Sequence, residues 1–312
     1  MLAAGLWAVD ALLRTTLTRT IPPASIVFLE HLVGFLILIP IFWKSRAKFT
    51  TLTGRDWLML SALTVVSSVA GTLLFTEALA RSFASFDFAT PLLLQKFQPI
   101  FVIALAALFL KEKITFRFLA LVPIALIGSY LISFGAVPIP LEWTNKEIVY
   151  VLALGAALCW GGGTILSKKV LQKLTFSEAT SLRFLLAIPI AAIAMFIFGQ
   201  TYSFGAVGGE NWLRFVIIAF TTGAGAVLIY YKGLQQTEAK IATIAELVFP
   251  VVSILIAITA LNPYGAAQHL SLANVFGIIL LLISVLVISF DHAQQPPQPA
   301  RPNGRSGGSP LH

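Results

Sequence analysis

Long apolar runs alternate along the chain with short polar breaks, and the runs share one length. They lie near 24–43, 57–80, 86–110, 115–135, 148–171, 177–198, 213–233, 239–261 and 270–290. Each meets the roughly 20 residues that an α-helix needs to cross a hydrocarbon layer about 30 Å thick. Residues 1–19 form a weaker run, interrupted by Asp10 and Arg14, which at about 1.5 Å per residue only just spans. The pattern predicts an all-α integral membrane protein with ten transmembrane helices, the first one short.

From Asp291 the pattern stops. The remaining stretch, rich in proline, glycine and polar residues without apolar periodicity, cannot build a core and reads as a disordered tail over 291–312. An inert tail and a proline-rich ligand for a partner are both open readings.

Composition agrees with the pattern. Apolar residues make up 58% and charged residues 11% of the chain, with mean hydropathy +0.90. A soluble domain carries about 25% charged residues, so lipid is the main solvent and partner here. The net charge of +8 forms no basic stripe of the kind that nucleic acid takes; it gathers in short loops instead. With the N-terminus inside, twelve basic residues fall in cytoplasmic connections: Lys44, Arg46, Lys48, Arg55, Lys111, Lys113, Arg117, Lys168, Lys169, Lys173, Lys232 and Lys240. Five fall outside: Arg14, Arg19, Arg81, Lys146 and Arg214. That bias predicts an inner-membrane protein with both termini in the cytoplasm. The lone Cys159 excludes an intramolecular disulfide. The first run has neither a basic leader nor a small-residue cleavage site, so no cleaved signal is expected.

The two halves of the chain resemble each other. Gly5-Leu-Trp7 matches Leu158-Cys-Trp160 at an offset of 153, and the same offset sets Pro23–Glu30 against Phe176–Arg183. Gln95-Lys-Phe-Gln-Pro99 faces Glu246-Leu-Val-Phe-Pro250 at an offset of 151. The predicted units are residues 1–135 and 136–290, with five helices each. An odd number of spans inserts the second copy upside down relative to the first, which places a pseudo-two-fold axis in the membrane plane and a substrate site at the repeat interface.

These residues carry a family resemblance. The tryptophan-bearing first helix of each half, Leu182-Arg-Phe184, Phe101–Thr115 with its Lys111-Glu-Lys113 ending, and Ala245–Pro250 together resemble the drug/metabolite transporter superfamily, in particular its EamA-type members. The resemblance covers residues 1–290. It implies a secondary transporter that exports a small metabolite such as an amino acid by alternating access. Two departures stand out: Glu30 replaces the arginine of the pattern, and Asn262-Pro-Tyr264 ends the ninth span without the Lys-Glu of the first half.

Ionisable residues inside a span cost about 2.5–3.5 kcal/mol at a helix centre, so each calls for a partner or a water-filled cavity. Asp10 is either an i,i+4 partner of Arg14 or a proton or cation site in the cavity. Glu30 has Arg14 and Arg19 as candidate partners, and His31 is expected to be hydrogen-bonded. Lys96 sits at mid-depth between Gln95 and Gln98, just before Pro99, where a proline breaks the helix and exposes backbone to a cavity. It either lines a binding site or pairs with Glu246 or Asp10. Glu246, four residues before Pro250, has the same two readings, with Arg183 as its structural counter-ion. Trp7 and Trp160 are symmetric in the repeat and are either markers of the membrane interface or candidates for stacking on a planar or apolar substrate. Tyr230 and Tyr231 read as interfacial anchors, with lining of the cytoplasmic vestibule as the alternative, Glu77–Arg81 as an interfacial i,i+4 pair, and Asp87 as a helix-start carboxylate. Gly161-Gly-Gly163 reads as a close-packing site, not a phosphate loop. The substrate-binding set is therefore Trp7, Asp10, Gln95, Lys96, Trp160 and Glu246.

Three function classes compete: transporter, intramembrane enzyme, and scaffold or sensor. No nucleotide-binding motif, metal-ligand cluster or catalytic constellation emerges, and the expected partners are a small-molecule substrate, lipid and, as coupling ion, protons. Uptake or exchange of a phosphorylated or nucleobase-like compound is the alternative to efflux. A phosphate would want several converging cations at mid-depth, and only Lys96 stands clearly there.

Overall fold

A computed structural model describes residues 1–85, 89–137, 147–260, 267 and 269–293. Every regular element among them is helical. We number ten rods. The first, α1 (Leu2–Leu17), has 16 residues. The others are α2 (Pro23–Phe49), α3 (Gly54–Ser82), α4 (Thr90–Leu110), α5 (Phe116–Phe134), α6 (Glu147–Val170), α7 (Phe176–Ile197), α8 (Gly209–Gln236), α9 (Ala239–Ala257) and α10 (Leu272–Asp291). Among the described residues these nine are long and apolar enough to cross a membrane. The terminal helix runs on to Ala293, two residues past Asp291, where the composition changes. The rest of the expected tail, Asp87, Lys146 and Asn262–Tyr264 lie outside the described residues.

The packing follows the repeat. The second helices of the two halves, α2 and α7, lie against each other, as do the fifth helices, α5 and α10. Each first helix crosses into the other half: α1 packs on α8 and α9, while α6 packs on α3 and α4. At the α5–α10 crossing the backbones touch. A Cβ on Gly128 would lie 2.9 Å from the Gly277 carbonyl oxygen, and one on Gly277 would lie 2.8 Å from that of Gly128. Small residues are what allow helices to approach this closely in lipid.

The polar ends are stitched differently. At one end the α2–α3, α4–α5, α6–α7 and α8–α9 connections gather most of the basic residues. There Lys173 meets Asp56 at 3.3 Å, and Lys168 donates to the Leu234 and Thr237 carbonyls at 2.8 Å. Glu112 accepts from the Ala239 and Lys240 backbone amides at 2.8 and 3.1 Å, capping the start of α9. A carboxylate at a helix N-terminus satisfies orphan N–H groups and meets the positive end of the dipole. Lys240, expected in a loop, is buried there against Glu238 at 2.9 Å and the Lys113 carbonyl. At the opposite end Gln200 accepts from the Ala24 amide at 2.8 Å and donates to Glu77 at 3.1 Å. Glu77 pairs with Arg81 at 2.8 Å.

Candidate functional site

Breaks in four helices surround one central cavity. In α4 the helix stops at Gln95 and restarts at Gln98; in α9 it stops at Glu246 and restarts at Phe249. Pro99 and Pro250 cause both breaks, because a proline has no N–H for the carbonyl four residues earlier and its ring crowds that carbonyl. The chain closes each gap with three-residue turns in the same register: Lys96 and Phe97 donate to Leu93 and Leu94, Leu247 and Val248 to Ile244 and Ala245. In α3 the segment Thr64–Gly71 widens into a π-helix. In α8 the helix is interrupted between Phe220 and Ala224. Irregular backbone at membrane depth is tolerated where it lines such a cavity.

The cavity measures about 210 Å³, and Trp7, Asp10, Gln95, Lys96, Trp160 and Glu246 all line it. Its two aromatic walls mirror each other. Trp7 packs on Tyr230 with ring centroids 5.2 Å apart and planes at 58°; Trp160 packs on Phe75 at 5.3 Å and 57°. In each pair the tryptophan comes from a first helix and its partner from the third helix of the other half. Tyr230 is thus a cavity wall and Tyr231 is fully buried, which corrects their reading as interfacial anchors. Gly161 and Gly163 pack closely on Phe101 and Ser67.

One charge network sits on each side. Arg14 binds Asp10 at 2.6 Å and Glu30 at 2.8 Å, and Thr222 donates to Asp10 at 2.7 Å. Arg14 and Glu30 are buried, so the Asp10–Arg14 pair belongs to a packed interior triad and not to a frayed helix end. Arg183, repeat counterpart of Glu30, does not meet Glu246. It donates to Ser67 at 3.0 Å, to Ser68 and to the Tyr231 hydroxyl at 2.7 Å. Ser167 also donates to that hydroxyl, at 2.9 Å. The expected Arg183–Glu246 pair is replaced by a hydroxyl cage because the π-turn carries Ser67 and Ser68 to the guanidinium. His31 donates from Nδ1 to the Val27 carbonyl at 2.7 Å.

Lys96 pairs with neither Glu246 nor Asp10. Its ammonium lies 5.5 Å from the centroid of the Phe249 ring. Glu246 Oε2 accepts from Gln98 at 2.9 Å. Among the described residues no group of three or more His, Cys, Asp or Glu side chains is placed to hold a metal ion.

Comparison with known proteins agrees with this architecture. A model of the EamA-like transporter family matches residues 1–134 and again 147–290. Riboflavin transporter ImpX of Fusobacterium nucleatum is 33% identical over 291 residues, covering 92% of this chain and 95% of that protein. A riboflavin transporter of Brucella anthropi is 27% identical over 210 residues, covering 65% of this chain and 68% of its own. A solved crystal structure superposes with a TM-score of 0.75 at 16% identity, covering 94% of this chain and 96% of that one, a likeness of fold alone.

Proposed function

Because this chain belongs to the EamA-like transporter family, we propose that it carries a neutral, flat heterocyclic metabolite of the riboflavin type. The cargo occupies the central cavity, which opens to either side in turn. One observation carries the reading: two tryptophan-centred walls, one from each repeat, face a single cavity. Such walls suit the faces of a conjugated ring system, since stacking on aromatic side chains is favourable for any flat π-face. The charges support a neutral cargo, because Arg14, Lys96 and Arg183 match Asp10, Glu30 and Glu246 one for one around the cavity. A phosphorylated cargo would need surplus cations. The names of two relatives point to the same class. Neither name speaks of amino acids or of efflux, so the amino-acid cargo expected from the sequence is not carried forward and direction is left to the assay.

The test is riboflavin flux into and out of proteoliposomes holding the purified protein. Facilitated flux in either direction is expected. Trp7→Ala and Trp160→Ala should each raise KM about tenfold or more, given roughly 1–3 kcal/mol for one stacked ring, while Trp160→Phe stays near wild type. Flux no faster than in empty liposomes would sink the reading.

A further inference from the structure

Trp160 lines the cavity, and a residue outside the lining seats it. Gly71 closes the π-helical segment of α3 and is buried. A Cβ on Gly71 would lie 2.9 Å from both Cδ1 and Nε1 of Trp160, and 3.2 Å from the Cβ of Cys159. Non-bonded carbons settle about 3.5–4.0 Å apart, so the pyrrole edge of the indole occupies the space that a methyl would fill. Phe75, one turn further along α3, packs on the same ring with centroids 5.3 Å apart and planes at 57°. The helix thus offers Trp160 bare backbone on one turn and a phenyl ring on the next. A rigid bicycle held between the two moves as one body, and a densely packed interior transmits such a shift. The repeat itself does not demand a glycine here. Ala226 stands 155 residues on, as Tyr230 does from Phe75, so a third helix of this kind accepts a methyl at that place.

Resting on the flat cargo and aromatic walls argued above, we propose that Gly71 is the positioning residue for Trp160. Its missing side chain lets the indole lie against α3 and sets the plane on which the cargo stacks. A methyl at this position lifts the pyrrole edge off α3 and turns that plane, while the Trp7 wall keeps its place. Stacking depends on the offset and angle of the two rings. The loss therefore falls on binding, which raises KM, and leaves the maximal rate nearly as it was.

Riboflavin flux in proteoliposomes tests this as a double-mutant cycle on Gly71→Ala and Trp160→Ala. Gly71→Ala should raise KM about fivefold or more, with the maximal rate within about twofold of wild type. Added to Trp160→Ala, where no indole remains to be displaced, it should change KM by less than about twofold. Gly162→Ala is the control for a methyl on a packed helix, since its Cβ would meet only Val66, at 3.9 Å; its KM should match wild type. Wild-type KM in Gly71→Ala, or the same rise in Gly162→Ala or in the absence of Trp160, overturns the proposal. A wild-type protein that passes no riboflavin overturns the cargo assignment instead. The ring is then read directly, from the near-ultraviolet circular dichroism that each protein loses on Trp160→Phe. That difference spectrum should change in Gly71→Ala, and an unchanged one overturns the positioning role. If Gly71→Ala does not assemble, the double variant with Trp160→Ala should; failure of both means that the glycine serves the backbone and not the ring.

Discussion

Arg14 holds two carboxylates at once, Asp10 at 2.6 Å and Glu30 at 2.8 Å, inside a bundle surrounded by lipid. Removing it strands both anions, and breaking a buried pair in this way costs roughly 3–5 kcal/mol. Arg14→Met is therefore expected to lower the melting temperature of the detergent-solubilised protein markedly. The triple variant Arg14→Met, Asp10→Asn, Glu30→Gln should recover most of it; no recovery would mean that the triad is not a closed electrostatic unit. Single residues of this kind were legible in the sequence because a charge or a tryptophan at mid-span has few inexpensive placements. Asp10, Lys96, Trp160 and Glu246 were found on that ground, and all line the cavity. The partners of Arg183 were not, since Ser67, Ser68 and Tyr231 carry no charge that marks them as its counterparts. Phe75 and Tyr230 were missed as a mirrored pair. A signal existed: Gly54-Arg-Asp-Trp-Leu58 matches Gly209-Glu-Asn-Trp-Leu213 at an offset of 155, which sets Phe75 opposite Tyr230.

At the scale of the element, the prolines act on helix direction and not on helix formation. Each broken helix restarts within two residues, at Gln98 and at Phe249, so the rods still cross while their breaks face the cavity. Pro99→Ala or Pro250→Ala restores the missing N–H and lets the helix run straight, relieving a defect of about 3 kcal/mol. The expected outcome is unchanged or raised thermal stability together with a flux loss of about tenfold or more. A variant that keeps full flux would detach the breaks from function. These two breaks were readable because proline leaves a mark in the sequence. The π-turn of α3 and the interruption of α8 were not, because Thr64–Gly71 and Thr221–Gly223 contain nothing that an ordinary lipid-facing helix excludes.

At the scale of the whole molecule, the twelve-to-five bias of basic residues predicts that the end stitched by Lys168, Lys173 and Glu112 faces the cytoplasm. Reporter fusions within 46–55 and after Asp291 should then read as cytoplasmic, and one within 203–210 as external. The reverse pattern would contradict the assignment. The order of the repeats was readable because weak matches accumulate at nearly constant offset. The exchange of first helices between halves was not, since covariation between α1 and α8 or between α6 and α3 leaves no trace in one sequence.

Two inverted copies would, if identical, rest equally often in either orientation. Glu112 spoils that equality. It pins the start of α9, and its repeat position in the sequence carries Pro263 instead of a carboxylate. A cap made in one orientation and lost in the other is worth about 1 kcal/mol, enough to tilt the resting population roughly fivefold. The slow step of a cycle is then the return of the empty carrier, and cargo waiting on the far side should hasten it. Swapping labelled for unlabelled riboflavin across a vesicle wall should outpace one-way emptying by a similar factor. With Glu112→Ala the two rates should converge, and a gap that persists in the variant would place the imbalance elsewhere.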